Sequence, residues 1–148
     1  GVMLHSPDVA ARVAHTGAYV RFDFTMPESL KETVIIPAAA HQKSQYEFAA
    51  HARLARQAGV SDATIKAIAD GTAPNGLTGD EELLVRYTTE LLQDKKITDA
   101  TFNAVQEKWG VRGVVDVTTL IGHYLLVAQI LAAFDVDLAP GMTAELPV

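Results

Sequence analysis

Glu47 and His51 stand four residues apart in the run Ser44-Gln45-Tyr46-Glu47-Phe48-Ala49-Ala50-His51. On a helix that spacing puts a carboxylate and an imidazole on one face, a turn apart. A carboxylate beside an imidazole can fix its tautomer and raise its basicity, the equipment of general acid–base catalysis. Leu54 and Ala58 continue the same face. The face is therefore expected to point inward, and buried acid–base pairs are candidates for function. A structural reading stands beside the catalytic one. Glu47 is third after Ser44, the place of the reciprocal glutamate in a capping box, and His51 could be a satisfied core histidine.

Several other residues could join them. Glu32 reads, by spacing alone, as a solvated glutamate beside Lys31, although a helix–break–helix unit around Pro37 could fold it back toward His51. His41 falls near that expected break, at a cleft mouth or simply exposed. Asp116, Thr119 and His123 recur at three and four residues along an otherwise apolar final helix. Such a polar strip lines a pocket or pairs across an interface. Glu-x-x-x-His can give a metal two ligands, with His123 or Glu32 as a third. No ligand-rich motif such as His-Glu-x-x-His accompanies it, so no metal is expected. There is no phosphate-binding glycine loop and no Gly-x-Ser-x-Gly elbow.

The elements that must position these groups are helical by their punctuation. Ser6-Pro7-Asp8 and Met26-Pro27-Glu28 are start signals. Val9, Val13 and Tyr19 are expected to face inward after the first. After the second, Leu30, Val34 and Ile35 form a stripe, and Pro37 should end or kink the helix near Ile36. Ser44 opens the helix of Glu47 and His51, which stops at Gly59 with Val60 as the apolar residue of a C-cap. A short helix from Ser61-Asp62 stops at Gly71, and Asn75-Gly76 signals a turn. Thr78 starts the helix of Leu83, Leu84, Tyr87 and Leu91. Thr98-Asp99 starts another that places Phe102, Val105 and Trp109 inside and stops at Gly110. The last helix is expected from about Gly113 to Phe134, followed by a tail rich in Pro and Gly. Strand signals are short and lack hairpin turns. The whole reads as an all-α helical bundle of about six to seven helices, with residues 1–148 forming one domain.

Composition narrows the function. The chain has 148 residues, 49% of them hydrophobic, a formal net charge of −6 and no cysteine. The acidic balance and the lack of a Lys/Arg cluster argue against nucleic-acid or anionic-membrane partners. Without cysteine there is no disulfide, thiolate metal site, Cys nucleophile or dithiol redox chemistry. The final helix is apolar enough to raise a membrane reading. Asp116, His123 and Gln129 interrupt it, and a central aspartate costs roughly 2.5–3.5 kcal/mol on insertion. It is better read as a buried core helix or a subunit interface. The N-terminus predicts no signal peptide, Gly1 leaves room for an upstream segment, and a reducing cytoplasm is the expected compartment.

The run from Leu30 to Gly71, LKETVIIPAAAHQKSQYEFAAHARLARQAGVSDATIKAIADG, resembles the core of the carboxymuconolactone decarboxylase family, which includes the alkylhydroperoxidase D-like proteins. The matching residues are Glu32, Tyr46-Glu47-Phe48, His51 and Ala58-Gly59-Val60-Ser61, and the segments from Thr78 to Gly110 and from Gly122 to Leu138 resemble its C-terminal half. The resemblance implies an all-α bundle of the alkylhydroperoxidase D-like type that assembles into trimers or hexamers. The family's peroxidase branch carries a Cys-x-x-Cys-x-x-x-His motif with a relay glutamate on the preceding helix. Here the cysteine positions fall on Ser44 and Glu47, the histidine on His51 and the relay on Glu32. A serine and a glutamate cannot cycle a dithiol, so thiol peroxidase activity is excluded.

The resemblance then implies the cofactor-free decarboxylase branch, a carboxy-lyase of aromatic-compound catabolism that removes CO₂ from a γ-lactone acid. His51 would be the general base or acid, Glu47 would orient it or share its proton, and Glu32 would relay. Tyr46, His123, Arg53 and His41 are candidate substrate-binding groups, and no cofactor is implied. Isomerisation, hydration or ring opening by the same pair, or ligand binding without chemistry, are the alternatives. The chain departs from the family in one place. Many relatives carry an arginine near the position of Pro37, and the local cations left to hold a substrate carboxylate are Arg21, Lys43 and Arg53.

Overall fold

The computed structural model describes residues 1–72 and 77–147. The Asn75-Gly76 turn lies outside the described residues. Among the described residues six α-helices make up the architecture: α1 (Pro7–Ala18), α2 (Glu28–His41), α3 (Gln45–Gln57), α4 (Asp62–Ala69), α5 (Gly79–Thr89) and α6 (Asp99–Ala133). A 3-10 turn (Val2–His5) precedes α1, and π-helical turns follow α1 (Tyr19–Asp23) and α5 (Glu90–Asp94). There is no strand among the described residues.

The hub is α2, which packs against α3, α4, α5 and α6. Its residues feed two cores. Leu30, Val34, Ile35 and Ala38 meet Leu84, Tyr87, Val117, Leu120 and Ile121 from α5 and α6. Ile36 and Ala39 meet Phe48, Ala52, Val60 and Ile65 around α3 and α4. This explains why Pro37, expected to end or kink the helix near Ile36, does not end it: α2 continues to His41. An interior proline costs about 3 kcal/mol. The buried side chains of α2 each contribute roughly 1.5–3 kcal/mol, so packing prevails. The break falls instead at Gln42–Ser44, where Lys43 takes a left-handed conformation (φ 53°).

The caps follow the sequence closely. Gly59 (φ 95°) closes α3, its N–H donating to the Arg56 carbonyl while the Val60 N–H donates to Ala55. Thr78 and Glu81 form a complete capping box on α5. Gly110 (φ 69°, ψ 176°) breaks α6 into two segments at the expected stop. Other expectations are corrected. No residue of α1 is buried, and Val9 is 47% exposed. That helix lies along α6, and Val20 of the following π turn is what enters the core. Phe102 stays 37% exposed because Thr101 and Val105 take the inner face.

By length and composition α6 could cross a membrane, yet its Val105, Val117, Leu120 and Ile121 form the main core. The tail returns to α3, where Gln45 binds the backbone of Glu145 and Leu146, and Arg56 pairs with Glu145.

Candidate functional site

The site is assembled where α3, α2 and α6 meet. Ser44 caps α3 by accepting from the Glu47 N–H, at 3.4 Å. The box is only half formed, because the Ser44 N–H donates to the Ala39 carbonyl rather than to the Glu47 side chain. Glu47 is thereby free of the helix start. Its Oε2 lies 3.5 Å from His51 Nε2. The other imidazole nitrogen, Nδ1, lies 2.9 Å from Glu32 Oε2. His51 therefore stands between two carboxylates, one from its own helix and one from α2.

Glu32 is fully buried, not solvated as its spacing beside Lys31 suggested. Arg21 Nη1 donates to its Oε1 at 2.8 Å, so both carboxylate oxygens are occupied. Arg21 reaches Glu32 because the π turn after α1 brings the chain alongside α2. Three residues of α2 then hold it. Glu28 and Glu32 take its guanidinium, and the buried Lys31 ammonium donates to its carbonyl at 2.6 Å. The turn is held on α6 as well, where the Tyr19 hydroxyl donates to Asp116 at 2.9 Å. Arg21, a sequence candidate for gripping a substrate carboxylate, is thus committed to the protein's own carboxylates.

The two glutamates are driven in opposite directions. Burial alone raises the Glu32 carboxyl, but hydrogen bonds from His51 and Arg21 outweigh it and hold Glu32 below the usual carboxylate range. Glu47 is also buried, has no such donors, and is pushed up, with the Glu32 charge adding to the push against the opposing pull of His51. An ionised Glu32 requires a proton on His51 Nδ1. In the neutral imidazole Nε2 is then the free base, and it faces Glu47. Two acids driven apart in this way around one imidazole form an arrangement that can carry a proton.

Tyr124 completes the enclosure, and sequence reasoning missed it. Its ring meets His51 edge-on, centroids 4.6 Å apart. The polar strip of Asp116, Thr119 and His123 pointed to a neighbouring line of α6. Asp116 is taken by Tyr19, and the Thr119 hydroxyl donates to the Val115 carbonyl. His123 is half-buried and meets the same Tyr124 ring edge-on, centroids 5.3 Å apart. Tyr46 is half-buried and lines a cleft of about 310 Å³ with Gln42, Lys43, Ser44 and Ala128, among others. The structure does not bring Arg53 or His41 to the site. Arg53 lies on the exposed face of α3, because the inward face of that helix is taken by residues 47, 48, 51, 52 and 55. His41 is exposed at the last position of α2. Among the described residues no group of three or more His, Asp or Glu side chains is arranged to hold a metal ion.

No curated protein and no solved structure matches the chain. The sequence profile of the carboxymuconolactone decarboxylase family matches residues 7–90, more than half of the chain, from α1 through α5. The match takes in Arg21, Glu32, Glu47 and His51, and the all-helical bundle agrees with the family's alkylhydroperoxidase D-like fold. This chain belongs to the carboxymuconolactone decarboxylase family.

Proposed function

We propose that the protein is a cofactor-free acid–base enzyme that removes CO₂ from a small γ-lactone acid. One observation carries the reading: the hydrogen-bonding capacity at the site is divided. Glu32 and Nδ1 of His51 are fully engaged with each other and with Arg21. Glu47 and Nε2 of His51 face one another across 3.5 Å, with no closer partner among the described residues. A core pair serving only stability would be satisfied on both sides. Half of this one is supported and half is left open, the pattern of a proton-transfer group held from behind.

The chemistry follows from that division. In an unsaturated γ-lactone acid the bond between ring carbon and carboxylate breaks and CO₂ leaves. The bonding pair passes through the ring double bond onto the lactone carbonyl oxygen. Glu47, whose raised proton affinity keeps it protonated further toward neutrality, delivers a proton to the ring carbon. Nε2 of His51 then takes up a proton from water and hands it to the Glu47 carboxylate, and Glu32 with Arg21 behind it stabilises the imidazolium that exists between the two transfers. The cleft lined by Ser44 and Tyr46 opens beside the start of α3, next to but not lined by Glu47 and His51, and is the route we assign to the substrate. With no cysteine in the chain, the dithiol peroxidase chemistry of other family members is not available to it.

We further propose that copies of the chain assemble, as a trimer or hexamer. The exposed Leu4, Val9 and Phe22 near the N-terminus, Val111 and Val115 on α6, and Phe134 at its C-cap supply apolar surface for that contact.

The test is product mass from an unsaturated γ-lactone carboxylate with wild type, Glu47→Gln and His51→Ala. The expected result is loss of the mass of CO₂ with wild type and a fall of about 10²–10⁴-fold in each variant. Equal rates in all three overturn the assignment, and a product of unchanged mass replaces decarboxylation by isomerisation.

A further inference from the structure

We propose that Tyr124 is a catalytic residue, its hydroxyl donating a hydrogen bond to the carbonyl oxygen of the lactone that this site binds. The inference rests on the reading above and extends it to a residue on α6, beyond the segment that matches the family.

Tyr124 is 8% exposed, and among the described residues its hydroxyl has no hydrogen-bond partner. Among the described residues every side-chain polar atom that is shut off from solvent does have one. The Tyr124 hydroxyl is therefore the solvent-reachable tip of an otherwise buried side chain. The comparison with Tyr87 is direct. Tyr87 is also buried, and its hydroxyl is paired with Thr118 at 2.7 Å. Tyr19, less buried, is paired with Asp116. Water can reach the Tyr124 hydroxyl, and a ligand oxygen that displaces that water can take the same bond.

The ring is in contact with two histidines. His51 meets it edge-on at an interplanar angle of 80°, and His123 at 89°. Gly17 of α1 leaves the space that His123 needs, since a Cβ there would lie 3.0 Å from the imidazole. The brace reaches from α1 through His123 and Tyr124 to His51, which gives His123 a positioning part. The hydroxyl stands within the electrostatic reach of Arg21, Glu32, Glu47 and Glu28. Burial, with the three carboxylates adding to it, disfavours its ionisation despite the opposing Arg21. A hydroxyl kept protonated there is a donor, and among those acids it would meet a neutral oxygen that gains charge during reaction. The lactone carbonyl oxygen receives the electron pair as CO₂ leaves, and a preorganised donor at that point is where hydrogen bonding accelerates reaction.

The test compares wild type, Tyr124→Phe, Glu47→Gln and Tyr87→Phe. Binding is measured by calorimetry with the saturated γ-butyrolactone-γ-carboxylate, which lacks the ring double bond and does not react. CO₂ release is measured with its ring-unsaturated counterpart. Tyr124→Phe is expected to keep the thermal midpoint, weaken binding of the probe roughly tenfold, and slow CO₂ release about 10²–10³-fold. Tyr87→Phe is expected to bind and react as wild type. Wild-type binding and rate in Tyr124→Phe overturn the proposal, as does absence of probe binding by wild type. If Glu47→Gln loses CO₂ release while Tyr124→Phe matches wild type, the tyrosine assignment alone fails. If Glu47→Gln reacts as wild type while Tyr124→Phe binds the probe weakly, the acid–base reading fails and the tyrosine contact stands.

Discussion

Replacing Arg21 by Met tests whether Glu32 is kept as a buried charge. The guanidinium is 2.8 Å from Glu32, whose side chain is fully buried, and the Arg21 side chain is itself only 17% exposed. Removing one partner of such a pair typically costs about 3–5 kcal/mol, because the other charge is left uncompensated. Here His51 still donates to Glu32, which places the expected loss at the low end, about 3 kcal/mol. For a chain of this length that lowers the thermal midpoint by about 6–12 °C. The pH dependence carries a sign. Glu32 is held below its ordinary range, so its contribution is fully present above the unfolded value and is lost as pH falls through the lowered folded one. The Arg21→Met deficit should thus be largest near neutrality and shrink in acid. Arg21→Met combined with Glu32→Leu removes both charges and should recover most of the loss. Thermal melts of the three proteins across pH make the check. An Arg21→Met protein within about 0.5 kcal/mol of wild type at every pH, the range of an ordinary surface change, refutes the reasoning.

Two further outcomes follow from the same physics. Glu47 is raised, so its burial costs stability as pH climbs through its folded value. Glu47→Gln should therefore melt higher than wild type near neutrality, by on the order of 1 kcal/mol, with the gap closing in acid; melts that differ equally at all pH contradict this. Gly59→Ala meets no neighbour within 4 Å but must hold a φ of 95°, and should cost about 1–2 kcal/mol through the backbone alone. An unchanged midpoint would remove the C-cap argument.

How much of this was legible in the sequence depends on how local each feature is. The Glu47–His51 face follows from helical spacing, and Gly59, Gly110 and Thr78 announced their caps because those motifs are complete within six residues. Pro37 misled because propensity is local while the packing that overrides it comes from four other helices. Glu32 looked solvated beside Lys31, and only the helix–break–helix reading around Pro37 and the family resemblance suggested otherwise. Its burial depends on Arg21, delivered by a π-helical turn that no periodicity signals. Tyr124 was hidden one position from His123. The polar residues of α6 drew attention to the wrong line of the helix, and the ring that faces His51 lies among apolar neighbours.

The central claim is that Glu32 fixes the imidazole of His51 so that its free nitrogen faces Glu47. Nitrogen NMR of the neutral His51 ring, assigned by comparison with His51→Ala, reads that directly. The account predicts a proton on Nδ1 and a bare Nε2 in wild type, with the preference lost in Glu32→Gln. A proton on Nε2 in wild type, or the same mixture of both forms in wild type and Glu32→Gln, contradicts it.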